Sequence, residues 1–181
     1  TYDPYTAQAW ALIPRGGPSD VDRAVEAAHQ AFTTGDWAEI NATQRGALLR
    51  KLGDLLSENA DHLAEIEVRD NGKLIAEMSA QCKYLPQWYH YYGGLADKIE
   101  GSVIPIDKPG HFNYTLWEPL GVVAAITPWN SPLLLTTWKL APALAAGNTV
   151  VVKPSQYTSA SMLEFMNIFE KAGFPPGVVN V

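Results

Sequence analysis

Two short apolar runs, separated by a longer segment with helical spacing, mark the last third of the chain. The runs at residues 122–127 and 149–153 are rich in β-branched residues and are bounded by glycine, proline and asparagine, a pattern typical of strands buried on both faces. Between them, residues 132–146 carry leucines at helical spacing, and Gly147 and Asn148 provide a helix stop. The pattern predicts a strand, a helix and a second strand.

The same alternation continues to the last residue. Residues 159–172 have the pattern of a second helix, which Gly173 ends, and residues 178–181 begin a third apolar strand. We therefore expect a β-α-β-α-β series with right-handed crossovers. Pro142 lies inside the first helix, where it removes a hydrogen bond, so a kink or an early end is expected near Ala141.

The first half of the chain is mainly helical in pattern. Thr43 is expected to cap a helix that has its leucines on one face. A further helix is expected over residues 60–70, and a long one over residues 73–98. Residues 102–106 and 111–117 then alternate in the manner of strands and are joined by a turn signal, which predicts a β-hairpin.

Polar residues follow both apolar runs at the point where each predicted strand ends. They are Asn130, Lys153, Ser155 and Gln156. In an open α/β sheet the loops at the carboxyl ends of parallel strands face a common crevice, and ligands bind there. We therefore expect the functional site at these residues.

The composition is that of a folded protein. Hydrophobic residues make up 47% and charged residues 18%, and the net charge is −6, which argues against disorder and against nucleic acid as a partner. Residues 119–138 contain no charge over about the length of a membrane span, but prolines, Gly121 and Asn130 interrupt them, so no membrane helix is expected. No basic amino-terminal segment precedes an apolar stretch, and a cytoplasmic location is expected.

Residue types that often form reactive or metal-binding sites are few. Cys82, the sole cysteine, lies in a segment of helical pattern and is expected to be a small core residue and not a nucleophile. The four histidines, His29, His62, His90 and His111, show no metal-ligand spacing, so no metal site is expected.

Three ordered motifs surround the polar residues at the strand ends. They are Pro128-Trp129-Asn130 after the first run, the helical segment 138–148, and Lys153-Pro154-Ser155 after the next run. With segments 91–98, 104–106 and 118–122, they resemble the NAD(P)-dependent aldehyde dehydrogenase superfamily over nearly the whole chain. Three motifs in order at matching separations are far more specific than a lone glycine pattern.

The resemblance implies catalytic roles for Asn130 and Lys139. Oxidation of an aldehyde through a thiohemiacetal builds negative charge on the carbonyl oxygen, and a fixed amide donor stabilises that charge. By resemblance Asn130 is this donor, and Lys139 is a lysine near the reaction centre that helps to move protons. Without the resemblance, an asparagine chosen for a turn is the better interpretation of Asn130.

The resemblance also implies a site for NAD or NADP, in which Lys153 donates to the adenosine ribose hydroxyls. The other implied cofactor-binding residues are Ile126, Thr127, Pro128, Trp129, Pro154, Ser155 and Gln156. Many family members have an acidic residue at the position of Gln156, where a carboxylate repels a 2′-phosphate. The neutral amide weakens that repulsion, so we expect relaxed use of both cofactors. A lysine that extends from a sheet edge into solvent is the alternative for Lys153.

The implied substrate is a small-molecule aldehyde. The residues at substrate-contacting positions are Tyr84, Ser131, Leu135 and Trp138. Ser131 stands where several relatives carry an aromatic residue, so the class of aldehyde stays open. For Trp138, a core aromatic on an amphipathic helix is an equally good interpretation.

The expected fold class is α/β, with an amino-terminal helical region, a β-hairpin arm and the first β-α-β-α-β part of an open parallel Rossmann-like sheet. By resemblance, residues 1–100 are the amino-terminal strand and helical part of the nucleotide-binding domain. Residues 101–117 are the hairpin arm of an oligomerisation region, and residues 118–181 are the first half of the Rossmann-like nucleotide-binding domain. An exposed hairpin edge invites pairing, so a homo-oligomer, a dimer or a tetramer, is expected.

Residues 1–181 contain neither the nucleophile nor the glutamate base that the family uses, and the catalytic domain is expected to be absent. We therefore expect an amino-terminal piece of a longer enzyme, inactive alone. Two alternatives stay open. One is a non-catalytic nucleotide-binding or scaffold module of the same fold, and the other is a relative that uses the fold for acyl-phosphate or acyl-CoA chemistry.

Overall fold

Six helices and five strands make up the fold, and the computed structural model describes residues 1–181. The helices are α1 (Pro18–Thr33), α2 (Asp36–Glu39), α3 (Ala42–Asn71), α4 (Ile75–Leu95), α5 (Pro132–Ala145) and α6 (Ala160–Ala172). The strands are β1 (Tyr2–Asp3), β2 (Gln8–Ala9), β3 (Val122–Ile126), β4 (Thr149–Lys153) and β5 (Val179–Asn180). β1 and β2 pair antiparallel, and β3, β4 and β5 form a parallel sheet in that order. The expected α/β class and its β-α-β-α-β series are confirmed.

Glycine ends both helices of this series. Gly147, after α5, has φ 95°, and Gly173, after α6, has φ 91°, a left-handed conformation that residues with a Cβ rarely adopt. The early end expected near Ala141 is wrong, because α5 continues through Pro142 to Ala145. α5 packs against α3, α4, β3 and β4, and this packing offsets the hydrogen bond that the proline removes. None of the six helices is both long enough and apolar enough to cross a membrane.

α3 is one helix of 30 residues, where the sequence predicts two shorter ones. Its cap also differs from the prediction: Asn41, and not Thr43, accepts the Gln44 backbone N–H at 3.0 Å. The Gln44 side chain in turn accepts the Asn41 N–H at 2.8 Å. This reciprocal pair is a capping box, which satisfies two backbone donors where a threonine cap satisfies one.

α3 and α4 cross at a pair of glycines. A Cβ on Gly93 would lie 2.9 Å from the carbonyl oxygen of Gly46, so the crossing has no room for a side chain there. Arg50 Nη1 also donates to the Gly93 carbonyl at 2.7 Å. α3 contacts α5 and α6 as well, so this one helix touches both helices of the β-α-β-α-β series.

The hairpin arm, residues 101–117, forms a turn without regular strands. One antiparallel bridge joins Val103 to Tyr114, and backbone hydrogen bonds flank it on both sides. The two strands expected there are therefore wrong as regular elements. The apolar side chains Leu116 and Trp117 are each 71% exposed, and a two-stranded hairpin without a face to pack against is only marginally stable.

Candidate functional site

The carboxyl ends of β3 and β4 lie side by side at one edge of the sheet. The register pairs Ile126 with Lys153, the last residue of each strand. Just beyond, the Thr127 backbone N–H donates to the Lys153 carbonyl at 3.2 Å. We call residues 127–131 the β3 loop and residues 154–159 the β4 loop. Both loops begin at the same edge of the sheet, where ligands of parallel sheets bind.

A hydrogen bond joins the two loops. Thr158 Oγ1, in the β4 loop, donates to the carbonyl oxygen of Trp129 at 3.2 Å. The β3 loop is also held to α5, because Thr136 Oγ1 donates to Thr127 Oγ1 at 3.3 Å and both side chains are buried. A movement of the β3 loop therefore acts on the β4 loop and on α5.

Asn130 presents its carboxamide to solvent. The side chain takes part in no hydrogen bond within the chain, whereas the Asn130 carbonyl oxygen accepts Ser131 Oγ at 2.6 Å. The side chains of Pro128 and Trp129 are exposed beside it. A free amide at a strand edge can donate to a negatively charged oxygen and stabilise it.

Lys153 and Gln156 also face solvent at this edge. Lys153 forms no ion pair with an acidic side chain, so its ammonium is available to a ligand. Ser155 differs, because it is buried and its Oγ accepts the backbone N–H of Tyr157 at 3.3 Å. Pro154 is half-buried. Of the four predicted cofactor-binding residues at positions 153–156, Lys153 and Gln156 are exposed, and the other two shape the β4 loop.

The first turn of α5 is capped from α3. Pro132 has no N–H, so the first backbone donor of α5 is Leu133, which donates to Glu67 Oε1 at 2.8 Å. The same oxygen accepts Ser161 Oγ, from the first turn of α6, at 3.4 Å. One buried carboxylate therefore contacts the starts of both helices.

Asp70, one turn further along α3, caps α6. Its carboxylate accepts the Ala160 N–H at 2.9 Å and the Thr1 hydroxyl at 2.6 Å. Lys73 follows just after α3, and its Nζ donates to Ser131 Oγ at 3.2 Å. The end of α3 and the residue Lys73 just after it thus provide partners for the start of α6 and for the β3 loop.

Burial changes the protonation of the two carboxyl groups. Glu67 is 1% exposed, and the loss of hydration raises its pKa to about 7, although the hydrogen bonds from α5 and α6 and the Lys73 charge oppose this rise. Burial also raises the pKa of Asp70, and the hydrogen bonds that it accepts oppose the rise. Glu67 therefore changes charge near neutral pH.

Of the four residues predicted to contact substrate, Tyr84, Leu135 and Trp138 lie on α4 and α5, whereas Ser131 belongs to the β3 loop. Trp88 lies between Tyr84 and Trp138, with ring centroids 6.3 and 5.8 Å away and edge-to-face packing to both. Tyr84 and Trp138 are 49% and 45% exposed. Lys139 is exposed on α5, and its Nζ donates to the Leu135 carbonyl at 3.3 Å. The structure brings Tyr84 and Trp138 together through Trp88.

Four residues of this region are not among the sequence predictions: Glu67, Asp70, Lys73 and Trp88. The spacing of Tyr84, Trp88 and Tyr92 places three aromatic rings on one face of a helix, a signal that could have found Trp88. Glu67 and Lys73 carry no comparable signal, because their partners lie 66 and 58 residues away in the chain.

Two open cavities lie near the two loops, and no cluster of metal-binding residues marks this edge. Two open cavities of about 390 and 380 Å³ lie beside the amino-terminal segment, and the second includes Trp129 and Thr158 of the two loops. Neither includes Asn130 or Lys153. No group of three or more histidine, cysteine, aspartate or glutamate residues lies close enough together to hold a metal ion.

Comparison with known proteins gives one consistent family. Residues 1–181 match the family described as the aldehyde dehydrogenase family. The chain is 52% identical, over 99% of its length, to (Z)-2-((N-methylformamido)methylene)-5-hydroxybutyrolactone dehydrogenase of Acinetobacter baylyi. It is 47% identical, over 100% of its length, to hydroxyisobutyraldehyde dehydrogenase of Mycolicibacterium austroafricanum.

The fold agrees with a solved structure of the same kind. The NAD+ complex of aldehyde dehydrogenase from Bacillus cereus matches 99% of the chain with a TM-score of 0.96 and 42% sequence identity. The chain spans only 37% of that structure, and 37% and 35% of the two relatives above.

Proposed function

The chain belongs to the aldehyde dehydrogenase family, and on that basis we propose that it forms part of an NAD(P)-dependent enzyme that oxidises an aldehyde to a carboxylic acid. The supporting observation is the shared edge of β3 and β4, where the exposed Asn130 carboxamide and Lys153 ammonium follow adjacent parallel strands. An amide suits the aldehyde oxygen, and an ammonium suits the ribose hydroxyls of a dinucleotide.

We assign Asn130 the role of oxyanion donor and Lys139 a role in proton transfer. Attack by a cysteine thiolate converts the aldehyde into a thiohemiacetal, and a donor already in place stabilises the charge on its oxygen. Cys82 is unsuited to this attack, because it is 1% exposed and burial raises the pKa of its thiol to about 12. The proposal therefore requires a cysteine from outside residues 1–181, and these residues alone are expected to be inactive.

The proposed cofactor is NAD or NADP, held along the strand edge with Lys153 on the adenosine ribose. The other residues proposed to line its site are Ile126, Thr127, Pro128, Trp129, Pro154, Ser155 and Gln156. When bound, the nicotinamide accepts the hydride that leaves the substrate. Gln156 carries no charge to repel a 2′-phosphate, so we propose that both cofactors are accepted.

The proposed substrate is a small aldehyde that contacts the aromatic group on α4 and α5. Tyr84, Leu135 and Trp138 contact its carbon chain in this proposal, and Ser131 leaves room that an aromatic residue would fill. Ser131 is 5% exposed, with the Lys73 ammonium 3.2 Å from its hydroxyl. One relative is named for hydroxyisobutyraldehyde, so hydroxylated aldehydes belong in any screen.

We also propose that the hairpin arm, residues 101–117, pairs with another subunit in a dimer or tetramer. Its exposed apolar side chains support this, because such a surface is stable only when covered. In the same proposal, residues 1–100 and 118–181 belong to the nucleotide-binding domain. A cytoplasmic location stays a prediction.

The direct test is a screen of the full-length protein against aldehydes of several sizes, with NAD and NADP supplied separately. We expect reduced cofactor and free carboxylic acid in equal amounts, and no turnover by residues 1–181 alone. Formation of product only with added phosphate or coenzyme A would indicate acyl-phosphate or acyl-CoA chemistry. Cofactor binding without turnover of any aldehyde would favour the non-catalytic module and contradict the proposal.

A further inference from the structure

We propose that Glu67 is a positioning residue for the reaction: it fixes the β3 loop, and with it Asn130, by tying the starts of α5 and α6 to α3. This inference rests on the proposed function, because Asn130 is an oxyanion donor only there. Glu67 itself reaches neither substrate nor cofactor in this proposal. It acts through the backbone of the turn that carries Asn130.

Glu67 binds the chain at Leu133, which lies three residues after the proposed donor Asn130. The N-cap residue of α5, Ser131, gives the helix no side-chain hydrogen bond, and Pro132 has no N–H. The free donor of the first turn is therefore Leu133, and Glu67 Oε1 accepts it at 2.8 Å in a buried contact. Without Glu67 this N–H is left without a partner, and the helix start is free to shift.

Asn130 has no anchor of its own. Its carboxamide makes no hydrogen bond within the chain, so its direction follows from the backbone of the β3 loop. That backbone is held indirectly, by Glu67 on the Leu133 N–H two residues beyond the loop and by Lys73 on the Ser131 side chain. Since a displacement of about 1 Å at a reacting group costs about a hundredfold in rate, a loosened turn is expected to lower kcat.

Glu67 also meets charges from the elements around it. Lys73, after α3, favours its ionised form, Asp70 on α3 opposes it, and Cys82 on α4 faces it as a neutral thiol. α5 and α6 offer it only hydrogen-bond donors, the Leu133 N–H and the Ser161 hydroxyl. An ionised carboxylate accepts about twice as strongly as a neutral one and suits the positive end of α5. The hydrogen bond from the Leu133 N–H to Glu67 therefore strengthens as pH rises through about 7.

The experiment compares wild type, E67A, E67Q and the matched control E65Q in the full-length enzyme. Glu65 is an exposed carboxylate of the same helix. With rates normalised to folded, active enzyme, we expect E67A to lower kcat by about tenfold to a hundredfold, with the KM for cofactor changed by less than about threefold. E65Q is expected to match wild type. A kcat of E67A within about twofold of E65Q overturns the proposal.

E67Q separates positioning from a general structural role, and it decides the matter if E67A fails to fold. Gln keeps an acceptor for Leu133 but cannot ionise. We expect the ratio of kcat for wild type to kcat for E67Q to rise by about twofold to fivefold between pH 5.5 and pH 8.5. A purely structural carboxylate predicts no rise in this ratio, because ionisation of Glu67 then changes only stability and the rates are normalised to folded enzyme. A ratio that is flat or falls with pH overturns the proposal.

An independent measurement distinguishes failure of this inference from failure of the proposed function. Amide hydrogen exchange over residues 131–136 is measured in the same four proteins and requires no activity. We expect faster exchange in E67A than in E65Q, even if the full-length protein turns over no aldehyde. Equal exchange in those two variants shows that Glu67 does not hold the start of α5 and contradicts this inference. An inactive wild type with the expected difference in exchange contradicts only the proposed function.

Discussion

The β3 loop and the β4 loop resemble each other in sequence but are anchored differently. Each follows an apolar strand, contains a proline and leads into a helix. The helix after the β3 loop is capped by Glu67, whose contacts lie within the core. The helix after the β4 loop is capped by Asp70, which also accepts the hydroxyl of Thr1 at the amino-terminal end.

The difference matches the roles proposed for the two loops. A group that stabilises a transition state must be held in place, and the β3 loop with Asn130 is fixed to the interior of the fold. Lys153 directly precedes the β4 loop, and a cofactor that binds and leaves tolerates more freedom. We therefore expect changes in the β3 loop to act mainly on kcat, and changes at the β4 loop to act mainly on KM for the cofactor.

The largest expected effect is that of N130A, which removes the proposed oxyanion donor from the β3 loop. We expect kcat to fall by about 10² to 10³, because a preorganised donor acts on the charge that develops in the transition state. The KM for cofactor should stay within about threefold. Steady-state kinetics of the full-length enzyme measure both, and N167A, at an exposed asparagine of α6, is the control. A loss confined to KM would remove the contrast between the loops.

The pH dependence of stability tests the anchor of the β3 loop. Burial raises the pKa of Glu67 from 4.5 to about 7, so the folded state holds this proton more tightly than the unfolded chain does. Its contribution to stability is therefore fully present below pH 4.5 and is lost as pH rises through about 7. Over this range we expect the free energy of unfolding of wild type, relative to E67Q, to fall by about 3 kcal/mol.

Urea unfolding of the two proteins at a series of pH values measures this difference. Asp70 is present in both, so its own titration cancels in the comparison apart from its charge interaction with Glu67. E65Q should follow wild type, since Glu65 is exposed. A difference between wild type and E67Q that does not change with pH would contradict the raised pKa.

At the β4 loop, K153A is expected to raise the KM for NAD and NADP by about tenfold to a hundredfold. The reason is the loss of charge-assisted hydrogen bonds to the ribose hydroxyls. The kcat at saturating cofactor should change by less than about threefold. K171A, at an exposed lysine of α6, serves as the control in the same assay. A large fall in kcat with unchanged KM would assign Lys153 to the chemistry and would break the division proposed above.

The smallest effect concerns cofactor choice. Wild type is expected to use NAD and NADP with values of kcat/KM within about a hundredfold, or about 2.7 kcal/mol, of each other. Q156E should shift this ratio towards NAD by about tenfold, because a carboxylate repels a 2′-phosphate. Q87E places the same charge change on the exposed side of α4 and should leave the ratio unchanged. A stronger preference of wild type for NAD would contradict relaxed cofactor use.

Local sequence signals predicted the parallel sheet well. The apolar runs at β3 and β4 are short and β-branched, and the helix that follows each of them ends at a glycine whose positive φ angle no other residue adopts as easily. These signals act within a few residues, so a single sequence contains them in full. The hairpin arm shows the limit, because its alternating pattern is typical of strands, yet it forms one bridge and its apolar side chains stay exposed.

The candidate site was predicted only in part, for a physical reason. The exposed ends of the strands, such as Asn130 and Lys153, follow directly from where the strands end. The caps of α5 and α6 do not, because Glu67 and Asp70 reach them across 66 and 90 residues. Such contacts depend on how α3 lies against the sheet, which no local pattern encodes.

α3, which crosses α4 at Gly46 and Gly93, also caps the starts of α5 and α6. Exchanging segments between relatives is a common route to altered substrate preference. In this fold a chimera that swaps residues 119–181 alone would pair foreign helix starts with the native Glu67 and Asp70. The smallest segment that can be exchanged therefore includes α3, and a chimera that includes it keeps the two loops in their relative positions.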